Sequence, residues 1–134
     1  MKLATTIVML LATLLPLFAQ AQGTEIYVIA HASTPLSATD IREIYLGDKQ
    51  FAGAAKLTPL DNASLQNGFL SKALKLTPEK YEKLWTKKSF RDALNPPAMR
   101  NSDKEIIDAV LRSPGSVGYI STPPPAGVRV VQKF

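Results

Sequence analysis

The segment Arg112-Ser113-Pro114-Gly115-Ser116-Val117-Gly118-Tyr119-Ile120 constrains the fold of this chain most tightly. Ile106, Ile107, Val110 and Leu111 lie at helical spacing just before it, and Ser102 with Glu105 forms an S-x-x-E capping box at the start of that run. Gly115 is therefore expected to end a helix by taking positive φ. Val117 to Ile120 then reads as a strand. Gly118 within it marks a place where a neighbouring group packs close to the backbone.

The same punctuation organises the rest. Glu25 to Ala30 is a β-rich run with little alternation, as in a strand buried on both faces. Ser33-Thr34-Pro35 breaks it, and Ser37 with Asp40 is placed to cap a helix whose apolar positions are Ile41, Ile44 and Tyr45, with Gly47 at its end. Residues 50–55 read as a loop. Lys56 to Leu60 reads as a second strand, weakened by Pro59. Asp61-Asn62-Ala63-Ser64 is a cap-rich turn into a helix carrying Leu65, Phe69, Leu70, Ala73 and Leu74. Thr77-Pro78-Glu79 is a helix start, with Tyr81, Leu84 and Trp85 as the buried stripe. Asn95-Pro96-Pro97 is a loop, Pro123-Pro124-Pro125 a stiff connector, and Val128 to Val131 a final strand at an edge. Strands alternate with helices, so the fold class is α/β, with helices packed on a small sheet.

The first residues are expected to leave this domain. Met1-Lys2, an apolar run from Ile7 to Phe18 and Ala19-Gln20-Ala21 stand in the order of a cleavable secretory signal. The competing reading, a membrane anchor, requires about 20 apolar residues, and no basic stop-transfer cluster follows. The expected division is a signal peptide over 1–21 and one domain over 22–134, periplasmic or secreted. The chain has no Cys, so such a domain depends on its apolar core for stability. One His excludes a multi-His zinc site, and neither a metal nor a cofactor is expected. The formal net charge of +5 suits anionic partners, but the cations are dispersed and do not point to nucleic acid. Lys87, Lys88 and Arg91 form the densest patch, which a solvated helix end also explains.

Ile44-Tyr45-Leu46-Gly47 resembles the "IFLG" element of phosphate-type periplasmic solute-binding proteins, and Ser113 to Ile120 resembles their "TPGAIGY" element. Trp85-Thr86, Phe90 and Pro96-Pro97 follow the order of a "W-T…F…PP" stretch in short, single-domain members. The resemblance implies one lobe of a periplasmic-binding-protein-like fold with a small, mostly parallel sheet. In such proteins the strand that follows the glycines returns the chain to the sheet, and Gly115, Gly118 and Tyr119 serve packing.

The resemblance also supplies a candidate site. The family's turn R-S-D-G-S-G-T maps onto Leu60 to Gln66, placing Ser64 on its serine, Leu65 on its glycine, Gln66 on its threonine, Asn62 on its acid and Leu60 on its arginine. A helix N-terminus offers free N–H groups to an oxyanion such as phosphate. The candidate ligand residues are Asn62, Ala63, Ser64, Leu65 and Gln66, with Ser33 and Thr34 as a second group after the first strand. Two departures weaken the match. Leu60 supplies no guanidinium fork, and Leu65 restricts backbone approach. Asn62 or Ser64 acting only as a helix cap is the competing reading, and for Ser33-Thr34 it is an ordinary turn before Pro35.

Three functions follow as expectations. The first is a non-catalytic binding module, resembling one lobe of the substrate-binding protein of a phosphate ABC transporter. It would bind an oxyanion weakly unless a second lobe, a homodimer partner or a membrane transporter completed the cleft. The second is a periplasmic protein–protein interaction domain that kept the fold and lost solute binding. The third, an enzyme, has no support from a nucleophile motif, since there is no Cys and no G-x-S-x-G elbow.

Overall fold

The computed structural model describes residues 24–134. The expected signal peptide lies outside them. In chain order the elements are β1 (Tyr27–His31), α1 (Asp40–Tyr45), β2 (Phe51–Ala52), β3 (Ala55–Lys56), β4 (Thr58–Asn62), α2 (Gln66–Phe69), a π-helical turn (Leu70–Leu74), α3 (Pro78–Asp92), β5 (Ala98–Arg100), α4 (Asp103–Arg112), β6 (Ser116–Ile120) and β7 (Val128–Lys133). A five-stranded sheet has the order β5-β4-β6-β1-β7. β4 pairs parallel with β5 and β6, whereas β1 pairs antiparallel with β6 and β7. Four strands therefore point one way and β1 runs against them. β2 and β3 form a separate two-stranded hairpin, where the sequence reads as a loop.

Side-chain alternation divides the core into two layers. Val28, Ala30, Val117 and Tyr119 face a cluster with Ile41, Ile44, Tyr45, Phe69, Leu70, Leu74, Tyr81 and Trp85. Ile29, Leu60 and Ile120 face Ile106 and Val110 of α4. The middle strands are covered on both sides, which is why β1 and β6 read as unbroken apolar runs.

The glycines of the opening segment have distinct jobs. Gly115 has φ +90, and a Cβ there would stand 2.1 Å from the Lys56 carbonyl oxygen. The Gly115 carbonyl accepts from the Thr58 N–H at 2.8 Å, and its own N–H donates to the Thr34 hydroxyl at 3.1 Å. This crowding joins the start of β6 to the start of β4. At Gly118 a Cβ would meet Ile106 Cγ2 at 2.4 Å, so α4 packs directly on the strand's backbone.

The caps follow the sequence closely. The Thr77 hydroxyl accepts from the Lys80 N–H at 3.3 Å, and the Ser102 hydroxyl accepts from the Glu105 N–H at 3.3 Å. At α1 the N-cap is Thr39, not Ser37, and Asp40 reaches back to accept from the Ser37 N–H at 2.9 Å. Pro59 sits in β4 without breaking it, because β5 joins only from Leu60 onward. The missing N–H falls where β4 has a single strand neighbour.

Candidate functional site

The turn after β4 is held from within. Asn62, fully buried, uses its whole amide. Its Nδ2 donates to Asp103 Oδ1 at 2.8 Å and to the Tyr119 carbonyl at 3.0 Å, while its Oδ1 accepts from the Ser64 N–H at 3.2 Å and the Ser64 hydroxyl at 2.8 Å. The Ala63 N–H donates to the Arg100 carbonyl at 2.8 Å, and the Leu65 N–H to the Asn62 carbonyl at 3.0 Å. The Ser64 hydroxyl and three consecutive backbone donors are thus committed to the protein. Only the first turn of α2, Gln66 to Gly68, opens without a capping side chain, since Leu65 occupies the N-cap.

Two carboxylates flank the turn. Asp103 accepts from the N–H and hydroxyl of Ser121, both at 3.0 Å, and from the Thr122 N–H at 3.1 Å. Burial pushes its carboxyl up, but these bonds and the one from Asn62 outweigh it and hold the group below the usual carboxylate range. Asp61 is almost fully buried, 2 % exposed. The Tyr119 and Tyr81 hydroxyls donate to it at 2.8 Å each, and the Gln66 amide does so at 3.4 Å. Here burial wins and raises the carboxyl above its ordinary value, with the three hydrogen bonds offsetting only part. Tyr119 stacks on Phe69 with ring centroids 3.9 Å apart, and Phe69 meets Tyr45 edge-on at 4.7 Å. The buried acid therefore rests on an aromatic wall.

This geometry carries a pH prediction. The native pKa of Asp61 lies above its unfolded value of about 4. Its stabilising contribution is complete below that value and is lost as pH rises through the native pKa. Asp61→Asn keeps the size of the side chain and removes the titration. Urea unfolding should show the variant gaining on the parent as pH rises above about 4. A stability difference that stays flat over this range would mean that Asp61 is solvated.

Ser33 and Thr34 do not join this turn. Because β1 runs against the other strands, its carboxyl end lies beside the start of β6, as Ala30 pairs with Val117, whereas Asn62 donates to Tyr119 near the end of β6. The two groups occupy opposite ends of the sheet. The rule placing ligands at the carboxyl ends of strands holds only among strands pointing the same way. Thr34 is buried, and its hydroxyl accepts from Gly115; Ser33 lies 2.7 Å from His31 Nδ1 through its hydroxyl. Both have structural employment.

Beside the Asn62 turn lies a groove of about 520 Å³. Tyr81 and Asp61 are part of its lining, and Phe90, Pro97 and Met99 give it an apolar rim. Its lining contains two carboxylates, Asp61 and Glu82, and no Lys or Arg. β5 borders it as an exposed edge strand of the sheet. Sequence reasoning missed Asp61, Tyr81 and Asp103 as partners and β5 as a strand. The three residues Ala98–Arg100 are too few to show periodicity. The only signal of Asp61 was an acid directly after a strand-like apolar run. Among the described residues, no three His, Cys, Asp or Glu side chains converge to hold a metal ion.

No family model and no curated protein matches the chain. Among solved structures, it is similar to an ABC-type phosphate transport receptor from Vibrio cholerae, with a TM-score of 0.55 at 15% sequence identity. The match covers 84% of this chain and 50% of the receptor, so the chain spans half the receptor's length. At this identity the likeness is one of fold: the chain has the α/β architecture of one lobe of a periplasmic binding protein.

Proposed function

We propose that this chain is an exported, non-catalytic lobe of the solute-receptor type whose cleft face binds a protein partner rather than free phosphate. The observation that carries the reading is the groove lining. A phosphate beside the turn would meet Asp61 and Glu82 and no cation from the groove's own residues. The turn's nearest donors, Ala63, Ser64 and Leu65, are already spent within the protein. Without an arginine fork, the first turn of α2 is the remaining source of anion attraction, and such neutral donors contribute about 1 kcal/mol each. An apolar rim with an exposed strand edge suits a polypeptide, which pairs its backbone with the edge and buries side chains in the groove.

Two measurements test this. Calorimetric titration with phosphate should show no saturable binding up to about 10 mM, the range left to a few neutral donors. A photo-crosslinking residue at Met99 should give a discrete protein adduct in cells, unaffected by added phosphate, while the same residue at Gly53, on the hairpin turn, should not. Saturable phosphate binding that abolished the Met99 adduct would return the chain to the solute-carrier reading.

A further inference from the structure

One exposed face of α3 is unlike the rest of the surface. Phe90 is 89% exposed, more than any other large hydrophobic residue among those described. Lys83, Lys87 and Phe90 lie at i, i+4 and i+7, on the face opposite the buried Tyr81 and Trp85. Lys80 stands one turn earlier on the same side. Among the described residues, Lys80, Lys83 and Lys87 form no ion pair, whereas Lys88 reaches Asp48 and Arg91 reaches Asp92. Glu79 and Glu82 border the same face toward the start of the helix, and Lys87 is the unpaired lysine nearest Phe90.

We propose that this face of α3 seats the protein on an anionic phospholipid surface. The exposed Phe90 ring can enter the headgroup layer while the unpaired lysines beside it meet lipid phosphates. A soluble acidic polymer without apolar groups would satisfy the lysines and leave Phe90 in water. Among the described residues, no helix is long and apolar enough to cross a membrane. Phe90 also rims the groove assigned to a protein partner, whereas Lys83 and Lys87 do not line it, so the lysine variants separate the two readings.

The test uses sedimentation with vesicles of phosphatidylglycerol and phosphatidylcholine in equal parts, at about 20 mM salt so that screening is weak. The protein should bind these vesicles, ignore pure phosphatidylcholine, and release at about 300 mM salt. Lys83→Glu with Lys87→Glu should weaken binding by about 10-fold or more. A charge-matched control, Lys56→Glu with Lys75→Glu, should change it far less. Phe90→Ser should weaken binding several-fold with an unchanged melting temperature, since its ring packs on almost nothing. Equal weakening by both lysine pairs, absence of binding, or binding to phosphatidylglycerol and to soluble polyglutamate alike with no effect of Phe90→Ser would each overturn the proposal. The last of these would assign the face to an acidic macromolecule.

Discussion

Gly115→Ala is expected to lower stability by about 3 kcal/mol, through backbone strain of about 1–3 kcal/mol at positive φ plus a steric clash. For a domain of this size, that moves the melting temperature down by more than about 10 °C. The new Cβ would lie 2.1 Å from the Lys56 carbonyl oxygen, a backbone atom that cannot rotate away. Relief requires moving β3 and the start of β4 away from β6, breaking the bond from the Thr58 N–H to the Gly115 carbonyl. Gly118 provides the contrast. Its crowding partner is the Ile106 side chain, so Gly118→Val, costing about 1–3 kcal/mol by overpacking, should be partly rescued by Ile106→Ala. No side-chain truncation should rescue Gly115→Ala. Thermal melts of the single and paired variants check both statements. An unchanged melting temperature for Gly115→Ala would mean that the β3–β6 junction is loose.

Asn62→Asp is expected to be similarly costly, at about 3 kcal/mol or more near pH 7. It places an acid at the position where the resemblance to phosphate-type solute-binding proteins maps one. Here, however, the Asn62 amide nitrogen lies 2.8 Å from Asp103 Oδ1 and 3.0 Å from the Tyr119 carbonyl. A carboxylate would turn two donor contacts into facing acceptors and put a second negative charge beside Asp103. The pair then keeps one proton more readily when folded than when unfolded, so stability should return as pH falls toward about 4. Urea unfolding across that range reads the effect. A penalty that did not shrink on acidification would place its origin in packing rather than charge.

These two residues show what the sequence made legible. Gly115 and Gly118 announced their roles, because positive φ and close approach are demands that glycine alone meets cheaply. The caps at Thr77 and Ser102 and the apolar positions Tyr81, Trp85, Ile106 and Val110 were equally readable, since each depends on neighbours within a turn or two. The site was less legible because its bonds are long-range. Asn62 joins Asp103 across 41 positions and Tyr119 across 57, while Tyr119 joins Asp61 across 58. No local pattern encodes such partners. The resemblance mapped Ser64 onto a ligand-binding serine, but mapping does not reveal that Asn62 has taken its hydroxyl. Ser33 and Thr34 lie at the other end of the sheet from the Asn62 turn for a topological reason: strand direction, which decides where a carboxyl end lies, is not written in β1 itself.

The turn from Ala63 to Leu65 stands at the surface, but its backbone N–H groups and the Ser64 hydroxyl are bonded within the protein and leave no free donor to an anion. Amide resonances followed by NMR during a phosphate titration test it residue by residue. The Ala63, Ser64 and Leu65 amides should stay fixed, while Gln66, Asn67 and Gly68 drift without reaching saturation. Saturating shifts that include the Ser64 amide would contradict this and make this turn a phosphate site.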